Sequence, residues 1–179
     1  MKKILFSLFL LSSNTYAQFF AGLEGNVQYW KTVTTKDVNG AHEGMGLSGG
    51  FRFLDYWSVE GFWKRSSFRN SHYYLDGADL SSLVSDHYVD NMFGVGGRGT
   101  WKWLSGTVGV VSHHFKKETT YIEKPGVMTS STFSAINIYY GGGFVVPHYE
   151  FVQPYGEVIY FPSKEVDILD FSIGGRYFF

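Results

Sequence analysis

The chain ends on Leu169–Phe179, LDFSIGGRYFF. Leu169, Phe171, Ile173, Gly175, Tyr177 and Phe179 share one parity; Asp170, Ser172, Gly174, Arg176 and Phe178 share the other. A period of two is the mark of a β-strand with two unlike faces. Soluble domains usually leave polar residues at a frayed terminus. This chain stops on two phenylalanines, so its last strand is expected to present one face to an apolar solvent.

Working back from this stretch, the same alternation recurs seven times. The predicted strands are Phe19–Lys31, Glu43–Leu54, Trp57–Phe68, His87–Trp103, Gly106–Lys117, Thr132–Val146 and His148–Phe161. In the first, Ala21, Leu23, Val27 and Tyr29 oppose Gly22, Glu24, Asn26, Gln28 and Trp30. In the fourth, Val95 and Trp101 oppose Gly96 and Arg98. The fifth, around GTVGVVSHHF, has valines on both parities, and a bulge is expected there. In the seventh, Pro154 falls on the apolar face. It cannot donate to a ladder, which argues for a local bulge or against the phase.

The start of the chain reads differently. Lys2 and Lys3 precede an apolar run, Ile4–Leu11, and then small and polar residues ending at Ala17. This is the pattern of a secretory signal peptide, expected over 1–17, with one domain over 18–179. The run is too short to span a bilayer as a helix, which needs about 20 residues. The 179 residues contain no cysteine, so disulfides and thiolate metal sites are excluded. A net charge of −1 provides no basic field for nucleic acid. Aromatic residues make up 20% and glycines number 22, a composition unlike that of a helical bundle.

Short turns near Asp55-Tyr56, Leu104-Ser105 and Pro147-His148 alternate with longer polar links at Thr32–His42, Arg69–Asp86 and Glu118–Ser131. Short turns on one side and long loops on the other are the habit of outer-membrane barrels, with the short turns in the periplasm. A lipocalin-like barrel or a β-sandwich also alternates, with its apolar parity inside. Here the polar parity carries charges of both signs and many glycines, as a crowded lumen would. The apolar parity places Trp57, Trp101 and Trp103 beside the short turns, as an interfacial aromatic girdle would. The expected fold is all-β, an eight-stranded antiparallel transmembrane β-barrel in the cell outer membrane, working as a monomer.

On these features the chain resembles the small eight-stranded outer-membrane barrels of Gram-negative bacteria, the OmpA transmembrane domain and OmpX group. Its closing FSIGGRYFF is similar to the C-terminal signal read by the barrel-assembly machinery. Gly175, Tyr177 and Phe179 stand at the matching positions.

The inward parity holds Glu24, Arg52, Glu60, Lys64, Asp90, Arg98, Lys102, Glu157, Asp170 and Arg176. Of these, Glu24, Arg52, Glu60, Lys64, Arg98, Glu157 and Arg176 are expected to form a lumen charge network, because unpaired buried charges cost several kcal/mol each. The network reads as a polar plug; the alternative is a gate that opens a narrow channel for ions or small solutes. A third class is a lipid A acyltransferase or deacylase, for which Ser112, His113, His114 and Glu118 are the candidates; the spacing of known deacylase motifs is absent. No catalytic residue, cofactor or metal site is assigned, and His42, His72, His87 and His148 lack ligand spacing. The reading preferred to these is a non-enzymatic integral outer-membrane protein, structural or in contact with a surface ligand through its extracellular loops. The loop Arg69–Asp86 carries Tyr73, Tyr74 and Leu75, suited to a surface ligand. Lys116, Lys117 and Lys124 are suited to the anionic groups of lipopolysaccharide.

Overall fold

The computed structural model describes residues 18–32, 40–54, 56–74, 82–121, 128–146, 151–164 and 166–179. The expected leader, 1–17, lies outside the described residues, as do Asp55, Leu75, Lys124, Pro147 and His148. Eight strands form one closed antiparallel barrel in chain order: β1 (Gln18–Thr32), β2 (Gly40–Leu54), β3 (Trp57–Tyr74), β4 (Ser82–Trp101), β5 (Leu104–Tyr121), β6 (Met128–Val145), β7 (Val152–Phe161) and β8 (Val166–Phe178).

The ring closes between the first and last strands, Phe20 opposite Phe178 and Gln28 opposite Asp170. One lateral row runs Phe19, Phe51, Val59, Gly97, Val108, Tyr140, Tyr160, Leu169 and back to β1 at Tyr29, ten positions above its start. This stagger obliges the strands to tilt against the barrel axis, by roughly 35–45° in closed barrels.

The alternation sorts the side chains as the sequence predicts. Leu23, Met45, Val59, Phe93, Val95, Ile138, Phe144 and Ile173 point outward and are exposed, while Glu24, Lys64, Arg98 and Arg176 point inward and are buried. A soluble barrel would reverse this. With so much contiguous apolar surface outside, the solvent there must be lipid.

Three local expectations need correction. Strand β5 has no bulge, because its register is unbroken against both β4 and β6. Its odd residues, among them Ser105, Thr107, Val111, His113 and Phe115, are the buried ones. Val111 is an inward valine, which is why the sequence shows valines on both parities. Pro154 needs no bulge either. It stays in register opposite Gly175, and its carbonyl accepts from the Val146 amide on the β6 side. A residue's N–H and C=O point the same way in a strand, so the missing donor faces the β6 side, just past the last β6–β7 pair. Lys102 is not luminal. It occupies the β4–β5 turn with a left-handed φ of 55°, exposed, its ammonium 5.1 Å from the Trp101 ring centre.

The strands also run further out than their alternation suggested. Residues 69–74 and 82–86 are strand, so most of the segment read as a long loop is a hairpin ladder ending at Tyr74 opposite Ser82. The link between them, and the side chains of Tyr73 and Tyr74, lie outside what is described.

Val95 is half exposed on the outward face. Val95→Arg should destabilise the barrel by about 2–4 kcal/mol, as a charge at the bilayer midplane does. Reversible urea unfolding in lipid vesicles measures it, and unchanged stability would place Val95 away from the hydrocarbon.

Candidate functional site

The inward parity brings most of the predicted charges together. Lys64 of β3 lies at the centre. Its Nζ is 2.7 Å from Glu24 of β1, pairs with Asp170 of β8 and donates to Ser172 Oγ at 2.9 Å. Arg98 of β4 donates from Nε to Glu60 at 2.6 Å and from Nη2 to Glu157 of β7. Arg176 pairs with the other Glu60 oxygen at 3.2 Å and lies over the Tyr155 ring. The Tyr155 hydroxyl donates to Glu24 at 2.7 Å. Glu157, 4.0 Å from Lys64, joins the two halves. Cation and carboxylate thus alternate through the lumen, as burial demands of charges that cannot be hydrated. Gly46 makes room for this: a β-carbon there would sit 2.5 Å from Glu24 Oε1.

Arg52 reaches across to β7 and β8. It donates to Gln153 at 3.1 Å and its guanidinium lies 4.1 Å from the Phe178 ring centre. Asp170 and the pair His113–Asp90, at 3.1 Å, are buried members of the interior that the candidate network left out.

Beyond the charges the lumen turns apolar. Trp30, Tyr88, Met92, Phe115, Tyr139, Phe161 and Ile168 form one buried cluster. Trp30 packs on Phe115 with ring centres 5.2 Å apart, and Phe62 meets Tyr139 edge-on at 5.3 Å. These aromatics sit on the parity that the charges made look uniformly polar. The cavity left beside Lys64, Arg98 and Tyr155 is about 10 Å³, room for about one water.

The catalytic candidates do not assemble. Ser112 points outward and His113 inward, as neighbours on a strand must. His114 Nδ1 lies 2.9 Å from Ser134 Oγ on the outer wall, while Glu118 is engaged by Lys116 at 2.5 Å and faces His87 at 3.7 Å. Among the described residues no three His, Asp or Glu side chains converge as metal ligands. Trp57, Trp101 and Trp103 are exposed beside the short turns, as are Tyr177 and Phe179 at the same end.

At the opposite end the barrel is uneven. Pairing of β2 with β3 ends at Gly44 opposite Ser66, and that of β6 with β7 at Tyr140 opposite Tyr160. Between those limits β3, β4, β5 and β6 continue as a four-stranded sheet, paired as far as Tyr74–Ser82, Val84–Tyr121 and Thr120–Met128. Outward residues change from apolar to polar at Lys31, Glu43, Arg65, Asn91, His114 and Ser134, so this sheet stands above the lipid. On its inward side Asp86 accepts from Thr119 at 2.6 Å and Tyr88 at 3.0 Å and pairs with Lys117 at 2.9 Å. Lys117 is therefore not free for a surface anion. Burial pushes the Asp86 carboxyl up, but the bonds from Thr119 and Lys117 outweigh it and hold it below its ordinary value.

No family model and no curated protein matches the chain. Solved structures do. The Yersinia pestis attachment invasion locus protein Ail, in complex with the heparin analogue sucrose octasulfate, is 16% identical with a TM-score of 0.67, over 91% of this chain and 99% of that one. Neisserial surface protein A is 12% identical with a TM-score of 0.54, over 91% and 99%. Pseudomonas aeruginosa OprG is 15% identical with a TM-score of 0.53, over 91% and 95%. These likenesses are of fold. The architecture is that of a small outer-membrane β-barrel protein, and the apolar outer wall fits it to that membrane.

Lys64→Met would leave Glu24 and Asp170 buried without their cation. It should cost about 3–5 kcal/mol in urea unfolding; the triple change Lys64→Met, Glu24→Gln, Asp170→Asn should recover much of that. The lowered Asp86 pKa gives a second expectation. Its contribution is complete above the ordinary carboxylate pKa and is lost as pH falls through the depressed folded value. Amide exchange in the outer β4–β5 ladder should therefore quicken in acid, and Asp86→Asn should remove that pH dependence.

Proposed function

We propose that this chain is a non-enzymatic integral protein of the outer membrane, whose sheet above the lipid contacts molecules outside the cell. The observation that carries this reading is the extension of β3–β6 beyond their neighbours. A barrel that only spanned the membrane has no use for those ladders. The outward side chains at their base and flank include Arg65 and Arg69, which favours an anionic ligand; the similar Ail structure holds a sulfated one. Arg65 lies near the polar boundary, a level suited to lipopolysaccharide phosphates; Lys116 beside it is held by Glu118. The tightly filled lumen weighs against the channel reading.

Residues 1–17 act in this reading as a cleaved leader and 18–179 as the barrel. Gly175, Tyr177 and Phe179 serve the assembly machinery, and Trp57, Trp101 and Trp103 anchor the periplasmic interface. Glu24, Glu60, Lys64, Arg98, Glu157 and Arg176 act as a plug that fixes strand register, and Arg52 closes the periplasmic end.

Refolded protein in a planar bilayer should stay silent, and lipid A from producing cells should keep its mass. Discrete openings or a changed lipid A mass would overturn the non-enzymatic plug. A variant with 68–88 replaced by an Asn-Gly turn should still migrate as a folded barrel but lose retention of producing cells on immobilised heparin. Equal retention would remove the sheet from the interaction.

A further inference from the structure

The outer wall carries a groove at its periplasmic end, away from both the lumen and the projecting sheet. It crosses β3, β4 and β5 and measures about 680 Å³. Tyr56, Trp57, Trp101 and Leu104, all exposed, form its walls, and Gly99 and Gly106 its floor. The floor is low because outward glycines follow one another in register, Gly99 opposite Gly106 and Gly106 opposite Gly142. The Trp57 ring lies along Gly99, where a β-carbon would meet it at 3.3 Å. Over Gly106 the wall is bare: a β-carbon there would find its nearest neighbour at 3.9 Å. Exposed indoles mark the membrane interface, and Val95 and Val108 above them face lipid. The groove therefore runs from the interface into the hydrocarbon of the periplasmic leaflet.

One cation stands at its mouth. Lys102 is the first residue of the two-residue turn between Trp101 and Leu104. Its φ of 55° is the conformation for which such turns use glycine, yet a chain with 22 glycines places lysine here. Its ammonium lies 5.1 Å from the Trp101 ring centre and has no carboxylate partner among the described residues. Trp101 is thus shared, as a wall of the groove and as the ring against which the ammonium lies. In the sequence the other short turns contribute Asp55 and Glu150, so lysine and arginine are confined to this one.

We propose that the groove holds one anionic phospholipid of the periplasmic leaflet, its phosphate on Lys102 and an acyl chain over Gly99 and Gly106 between Trp57 and Trp101. The two halves of the site select different things. The apolar groove takes a chain, because the solvent beside it is lipid. The ammonium at the interface takes the headgroup, because a phosphodiester is the anion found at that level. A zwitterionic headgroup brings its own cation to compete with Lys102, and a net-anionic one does not. Contacts of the projecting sheet at the far end of the barrel play no part in this site.

The test uses the mature chain in phosphatidylcholine nanodiscs and reads the indole N–H signals by NMR. The probes are phosphatidylglycerol and phosphatidylcholine, each with the same nitroxide on one acyl chain. Labelled phosphatidylglycerol should broaden Trp57 and Trp101 about fivefold more than labelled phosphatidylcholine, the selectivity that one lysine near the surface provides. Trp63, further up β3, should be broadened equally by both. Lys102→Gly suits the turn and should keep the barrel folded while removing the headgroup difference; Lys102→Arg should retain it. Gly106→Leu fills the groove towards lipid and should reduce broadening of Trp57 and Trp101 by both probes, with Trp63 unchanged. Equal broadening by the two lipids in the unaltered chain overturns the site. A difference that survives Lys102→Gly overturns the assignment of the headgroup to Lys102. A difference lost in Lys102→Gly but untouched by Gly106→Leu is attraction to an interfacial charge alone, and overturns the groove as the seat of the chain.

Discussion

Closure of the hydrogen-bond ring is the constraint on which the rest of this structure depends. In hydrocarbon an unpaired peptide group costs several kcal/mol, so a sheet can cross a membrane only if its first and last strands pair. Here they pair from Phe20–Phe178 up to Thr32–Val166. The last residue is drawn into this seam: the Phe179 amide donates to the Phe19 carbonyl, and their rings lie 6.4 Å apart. The Phe179 ring is exposed on the outer wall beside this seam.

Closure with a ten-residue stagger decides what the inside can be. Eight strands leave an interior that side chains fill, and whatever charge is placed there loses its water. The interior responds in two layers. Towards the short turns, Lys64, Arg98 and Arg176 are each bracketed by carboxylates. Towards the outside, Trp30, Tyr88, Phe115 and Phe161 pack as a core would. The first layer fixes register, because a one-residue slip would turn every ion pair outward into lipid. The second closes the barrel from outside. Together they pack the lumen of the described residues.

The sequence revealed period and phase well, and position along the strand less well. Parity alone placed Glu24, Glu60, Lys64 and Glu157 inside and Leu23, Val95 and Ile173 outside, because each face meets a single solvent. It failed at β5, where Val111 faces an apolar pocket within the lumen and looks like an outward residue. His113 was missed for the same reason, since its role depended on that phase. The outer ladders were read as loops because above the lipid the outward residues turn polar while the buried inward ones mix Val84 with Asp86, so neither parity is apolar throughout. With no contrast between faces, Arg69–Tyr74 and Ser82–Asp86 carry no hydrophobic alternation. Arg52 shows another limit: parity places a charge inside but does not choose its partners, among which are Gln153 and Phe178.

Water above the lipid explains why strands of unequal length are tolerated at all. Within the membrane an unpaired edge would face hydrocarbon, and there the ring is closed by β1 with β8. Above it, water satisfies the same groups at little cost, so β3 and β6 can outrun β2 and β7.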